Sequence, residues 1–206
     1  MNVDHIALVE IDARGNPIQK KRIPLVTYGK TSHQSKALIG EASKTIVAFA
    51  KKTGKPLVLE DLDFTEKKLS LKQDSPKRAR MLSSFHYKEL RSVIEAKAFK
   101  EGVEVFFVNP AYTSIIGRVK FSKKYGLRVH QGAALCIARR LFQFSEKPSR
   151  CIAKVVHKNV QVTFPLPERN RRKHVWAFWG QVNRKLKVAL AAHIRGSPDS
   201  RMRQSG

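Results

Sequence analysis

Three carboxylates crowd the end of a short apolar run, where Leu57-Val58-Leu59 leads straight into Glu60-Asp61-Leu62-Asp63. Open α/β sheets present ligands and catalytic groups at the carboxyl ends of their strands. Clustered oxygens there suit Mg²⁺ or Mn²⁺, and two such ions can clamp the attacking and leaving oxygens of a phosphodiester during in-line displacement. The other reading of Asp61 and Asp63 is as caps of the following turn. Basic side chains stand on both sides in sequence. Lys67, Lys68, Lys72, Lys77, Arg78 and Arg80 make a basic loop or lid, and Arg118, Lys120, Lys123, Lys124 and Arg128 make a second, acid-free stretch. Arg171, Arg172 and Lys173 head a third. Such cations would hold the phosphates that carboxylates alone repel. Among the aromatic residues, Tyr87, Tyr112, Phe121, Trp176 and Trp179 could stack on bases. Tyr87 and Trp179 lie at helical spacing and read as core, whereas Trp176 lies off the apolar stripe and reads as the stacking residue.

The charge balance agrees with a phosphate partner. The 206 residues hold 41 Lys and Arg against 16 Asp and Glu, a net +25, while 42% of residues are apolar. A small domain with an ordinary mixed surface stays within about 8 charges of neutral, so a polyanion is implied, nucleic acid before membrane. No stretch approaches the roughly 18 apolar residues of a spanning helix. The N-terminus, MNVDHIALVEID, lacks a basic segment followed by an apolar one. The expected place is therefore cytoplasmic, nucleoid-associated in a prokaryotic cell, with no membrane partner. Cys136 and Cys151 form no CxxC pair, so neither a disulfide framework nor a zinc ribbon is expected.

These residues need a scaffold, and the periodicity supplies an α/β one. His5 to Asp12 and Ile18 to Val26 flank the turn residues Arg14-Gly15-Asn16-Pro17, the pattern of a β-hairpin. Leu38, Ala42, Ile46 and Phe49/Ala50 recur at helical spacing between a Ser32 cap and a Gly54 stop. The run at 57–59 reads as a buried strand. A second helix, about Phe85 to Lys100, presents Tyr87, Leu90, Val93/Ile94 and Ala98, and Val103 to Val108 is a second buried strand ended by Asn109-Pro110. Helix then strand, repeated, predicts a parallel component. An Ala-rich helix covers about His130 to Phe142. A domain is thus expected over 1–144, followed by a basic extension over 145–206 with an amphipathic helix about Arg171 to Ile194 and a loose tail after Gly196.

Four ordered segments carry a family likeness: L-V-L-E-D-L-D-F (57–64), M-L-S-S-F-H-Y-K-E-L (81–90), G-V-E-V-F-F-V-N-P-A-Y-T-S (102–114) and H-Q-G-A-A-L-C-I-A-R-R (130–140). Together they resemble the transposon-encoded OrfB, or TnpB-like, family of insertion-sequence proteins related to RNA-guided nucleases. The likeness spans roughly residues 5 to 142. It implies an RNase H-like (RuvC-type) fold, a mixed five-stranded sheet with flanking helices, and three acidic metal ligands that cut DNA with Mg²⁺ or Mn²⁺. Glu60 matches the second ligand. The first would lie upstream of Met1, with Asp4 nearby either as a displaced ligand or as a turn residue. The family's D-x-N-A-A is matched by His130-Gln131-Gly132-Ala133-Ala134, so His130 is either the third ligand or a helix N-terminal or core histidine. Asp63 could assist. Where the family carries its zinc ribbon this chain has Ile115-Ile116-Gly117-Arg118-Val119, so no zinc is expected. The partners implied are DNA and a guide RNA; the oligomeric state is left open. Two functions follow from the sequence: a metal-dependent DNA endonuclease, or a catalytically inactive nucleic-acid-binding remnant or regulator. A structural RNA binder fits the charge but leaves the Glu60 strand end and N-P-A-Y-T-S unexplained.

Overall fold

A computed structural model of the chain describes residues 4–62, 84–148, 151–157 and 160–196. The architecture is mixed α/β. The chain divides into two compact units, Met1–Pro110 with Ile137–Phe144, and Ala111–Cys136 with Ser145–Gly206. Residues 111–136 thus group with the C-terminal extension, and the 1–144 span expected from sequence is shared between both units.

The first unit begins with strands β1 (His5–Ile11) and β2 (Pro17–Pro24), antiparallel and paired from His5 opposite Pro24 to Ile11 opposite Pro17. Asp12 builds the turn: its Oδ1 accepts the Arg14 and Asn16 backbone N–H groups at 2.9 and 2.7 Å. Those bonds favour the carboxylate and hold its pKa below the ordinary value. Gly15 is required at the corner. Its φ is +75°, and a Cβ would meet the Arg139 guanidinium and stand 2.9 Å from the Phe144 ring. Arg139 donates to the Gly15 carbonyl while lying 4.7 Å over the Phe144 ring.

Helix α1 (Ser32–Thr53) starts at a reciprocal Thr31/Gln34 capping box, one residue before the expected Ser32, and stops at the left-handed Gly54. Strand β3 (Leu57–Glu60) follows. Helix α2 (Ser84–Lys100) leads to strand β4 (Val105–Val108), which pairs parallel with β3 from Leu57 opposite Val105 to Glu60 opposite Val108. One core binds these elements, with Ile23, Ile39, Ile46, Leu57, Leu90 and Ile94 all buried. The expected helix–strand repeat and its parallel pair are therefore present. Among the described residues the strands pair two by two, in place of the single five-stranded sheet that the resemblance implies.

In the second unit, α3 (Thr113–Ile116), a π-helical turn (Gly117–Phe121) and α4 (Ser122–Tyr125) run on without a break. Helix α5 (Val129–Leu141) lends its first eight residues to this unit. Strands β5 (Ile152–His157) and β6 (Val160–Pro165) form an antiparallel ribbon, and α6 (Val175–Gly196) closes the chain. Ile116, Leu135, Val155, Trp179 and Val182 are almost wholly inaccessible in its interior. Ile115 is buried beside Ile116. Gly117 and Gly132 let two helices touch backbone to backbone. A Cβ at Gly117 would overlap the Gly132 carbonyl and stand 2.8 Å from the Ala133 nitrogen, whereas one at Gly132 would lie 3.1 Å from Gly117. Backbone cannot swing aside as a side chain does. Gly117→Ala is expected to cost about 2–3 kcal/mol, as overpacking does, and Gly132→Ala less. Urea unfolding followed by tryptophan fluorescence would check the order.

Candidate functional site

The charge is unevenly shared. The second unit holds 19 Lys and Arg against 3 Asp and Glu, a net +16 of the chain's +25. Its geometry gathers part of that charge around a groove of 240 Å³. Lys120, Lys123, Lys124 and Lys154 line it, over Val119, Pro148, Ile152 and Leu166. The helical run 113–125 brings the first three lysines to one wall, and the alternation of β5 sends Lys154 outward while Ala153 and Val155 turn into the core. Lys120 Nζ donates to the Ser145 carbonyl at 2.6 Å, and Lys123 Nζ reaches Gln161 Oε1 at 3.4 Å. Lys124 Nζ lies 4.7 Å over the Tyr125 ring. Among the described residues Lys123, Lys124 and Lys154 have no carboxylate partner. A second recess is lined by Lys147, Arg169 and Arg171.

Arg118 stands in the π-helical turn, half-buried, and its pKa is lowered because burial disfavours the charged form. It has no hydrogen-bond or ion-pair partner among the described residues. Arg128 is exposed before α5, where its backbone N–H donates to Gln131 Oε1 at 3.1 Å. Arg171, Arg172 and Lys173 are exposed ahead of α6. Trp176 is half-buried, its ring engaged edge-on by His174 at 4.8 Å and tilted against Tyr112 at 6.5 Å. Trp179, Phe121 and Tyr87 are core; for Phe121 this replaces the stacking role that the sequence left open. Tyr112 takes φ +60° ahead of α3, and its hydroxyl lies 3.3 Å from where a Gly180 Cβ would be.

The strand-end carboxylates belong to the first unit. Glu60 ends β3, half-buried, and its backbone carbonyl accepts the Tyr87 hydroxyl. Burial raises the Tyr87 pKa, and the Glu60 charge adds to the rise. Asp61 is exposed, its Oδ1 is 3.0 Å from Arg91 Nη1, and that guanidinium lies 3.7 Å over the Phe107 ring; the turn it would cap lies outside the described residues. Asp4 clasps the open end of the hairpin, accepting from His5 Nδ1 at 2.6 Å and Arg22 Nη2 at 2.5 Å. His130 is exposed in the first turn of α5, so it is not a core histidine, and it belongs to the second unit while Glu60 belongs to the first. Asp63, Lys67, Lys68, Lys72, Lys77, Arg78 and Arg80 lie outside the described residues. The donors that are described do not fit Mg²⁺ by themselves: beside Glu60 stands an aspartate already bound to arginine, and no group of three or more His, Cys, Asp or Glu among the described residues could hold a metal ion.

Family models, curated proteins and solved structures return no match to the chain. No described helix is long and apolar enough to cross a membrane. Cys136 is buried, Cys151 exposed, and both are free thiols.

Lys154, Lys147 and Arg169 were not singled out in the sequence. Lys154 had a legible signal, the alternation I-A-K-V-V-H against V-Q-V-T-F that marks a half-buried ribbon; the other two sit in irregular chain without a periodic cue. At the strand end the sign of the Tyr87 shift sets a pH dependence. With its folded pKa above the unfolded value of about 10, Tyr87 lends stability that is fully present below that pH and is lost as pH rises beyond it. Tyr87→Phe is expected to lower stability at neutral pH by about 1 kcal/mol through the lost hydrogen bond and to flatten the alkaline decline. Denaturant midpoints across alkaline pH would measure both.

Proposed function

We propose that this chain is a nucleic-acid-binding protein of the OrfB/TnpB-like kind, gripping a phosphate backbone with its second unit. The observation that carries this reading is the groove walled by Lys120, Lys123, Lys124 and Lys154 in a unit with 19 basic and 3 acidic residues. Lysine offers point charges with rotatable donors, which suit phosphates and read no sequence. The proposed partners are DNA and a guide RNA, and the proposed setting is a prokaryotic cytoplasm. In this reading the first unit derives from an RNase H-like (RuvC-type) domain, a descent supported by the hairpin, helix and parallel β3–β4 order with Glu60 at the strand end.

Metal-dependent cleavage would need Glu60 with Asp63 and His130. The catalytically inactive alternative is favoured by the Arg91–Asp61 pair, because a guanidinium at 3.0 Å offsets the negative charge that a divalent cation requires.

Binding is expected to weaken at least about tenfold between about 50 and about 200 mM salt, since each phosphate contact releases counterions. Replacing the four groove lysines with glutamine should flatten that response, and a flat response in the unaltered chain would remove the electrostatic reading. Incubation of DNA with Mg²⁺ or Mn²⁺ separates the two catalytic alternatives: cleavage lost in Glu60→Ala supports the nuclease, and cleavage unchanged by it places the chemistry elsewhere.

A further inference from the structure

The β5–β6 ribbon has one face in the core and one in solvent. Ala153 and Val155 on β5, with Val162 and Phe164 on β6, are buried; Ile152, Lys154 and Val156 point the other way. An outward face is ordinarily polar, yet Ile152 is 54% and Val156 56% exposed, and Ile152 is paired with Pro165. Ile152 also belongs to the floor of the lysine groove, beside Val119, Pro148 and Leu166, none of which carries a polar side-chain atom. The same recess therefore has an aliphatic floor and a wall of four cations.

We infer that this groove is a seat for a single-stranded nucleic acid, with an unstacked base on the aliphatic floor and the flanking phosphates on Lys120, Lys123, Lys124 and Lys154. The inference rests on the nucleic-acid reading above and adds the class of strand. A duplex keeps its base faces stacked inside and presents phosphates and base edges, so an aliphatic floor gains nothing from it. A single strand can turn an apolar base face onto Ile152 while its phosphates meet the lysines. The volume of 240 Å³ is below the roughly 300 Å³ at which drug-sized pockets begin, a fit for one planar ring rather than a larger ligand.

The test is fluorescence anisotropy of the full chain with a labelled single-stranded DNA of about a dozen nucleotides, the same sequence as RNA, and the DNA duplex. Both single strands should bind about fivefold or more tighter than the duplex. Ile152→Ser should weaken single-stranded DNA about fivefold, through lost apolar contact, and leave the salt slope unchanged. Lys154→Gln should instead reduce the slope of log affinity against log salt by about 0.7. Ile152→Thr, which keeps the β-branched shape of the strand residue, guards against a folding defect and should weaken binding in the same direction. Equal or tighter binding of the duplex, or equal weakening of all three by Ile152→Ser, overturns the strand assignment and leaves the nucleic-acid reading standing. Absence of saturable binding to any of the three overturns both.

Discussion

At Gly117 and Gly132 two helical segments meet without side chains between them, and the second unit is arranged around that approach. A Cβ at Gly117 has nowhere to go. Because the backbones come this close, Ile116 and Leu135 lose all solvent exposure, and Cys136 nearly all. The π-helical turn that begins at Gly117 continues directly into α4, and Lys120, Lys123 and Lys124 follow from there to the wall of the groove. A helix crossing of this kind is a backbone constraint. The charge it positions is a surface property laid on top of it.

The groove also shows how a strongly basic unit can remain folded. Nineteen cations against three acids would repel one another if they were gathered in a dry interior, but the interior is filled by Trp179, Val182, Ile116 and Val155, and the lysines stand at the rim. Arg118 departs from this pattern, being half-buried and held below its ordinary pKa by desolvation. In the proposed function, phosphates bound among the groove lysines would offset part of that repulsion, so binding would also stabilise this unit.

The first unit is balanced differently. Its ion pairs join elements: Lys55 with Glu10 at 2.6 Å, Lys51 with Glu101 at 2.7 Å, Arg91 with Asp61 at 3.0 Å. The exposed Lys51–Glu101 pair contributes little energy, Lys55–Glu10 is part-buried, and the unit rests mainly on the core shared by both ladders and both helices. The Arg91–Asp61 pair also engages one of the strand-end carboxylates. Arg139 and Arg140, near the end of the Ala-rich helix, hold backbone carbonyls at Gly15 and Asn109.

Periodicity alone made the hairpin, α1, β3, α2, β4 and α5 legible, because each is long or apolar enough for its 2.0 or 3.6 residue period to show. Net charge alone pointed to a polyanion. Tyr87 and Trp179 could be assigned to core from their spacing, and Glu60 to a strand end from the apolar run before it. The helical run 113–125 was hidden, since Gly117, Lys120, Lys123 and Lys124 read as loop composition and only burial of Ile115, Ile116 and Phe121 makes them a helix. The β5–β6 ribbon left its signal in the alternation of I-A-K-V-V-H against V-Q-V-T-F, which the basic composition around it masked. Which charges act together was decided by tertiary structure: Lys154 joins lysines some thirty residues earlier in the chain, and Asp61 joins Arg91, by packing that no local pattern encodes. Sequence fixes the kind and number of charges; only the folded chain sets their distances, on which both pairing and phosphate binding depend.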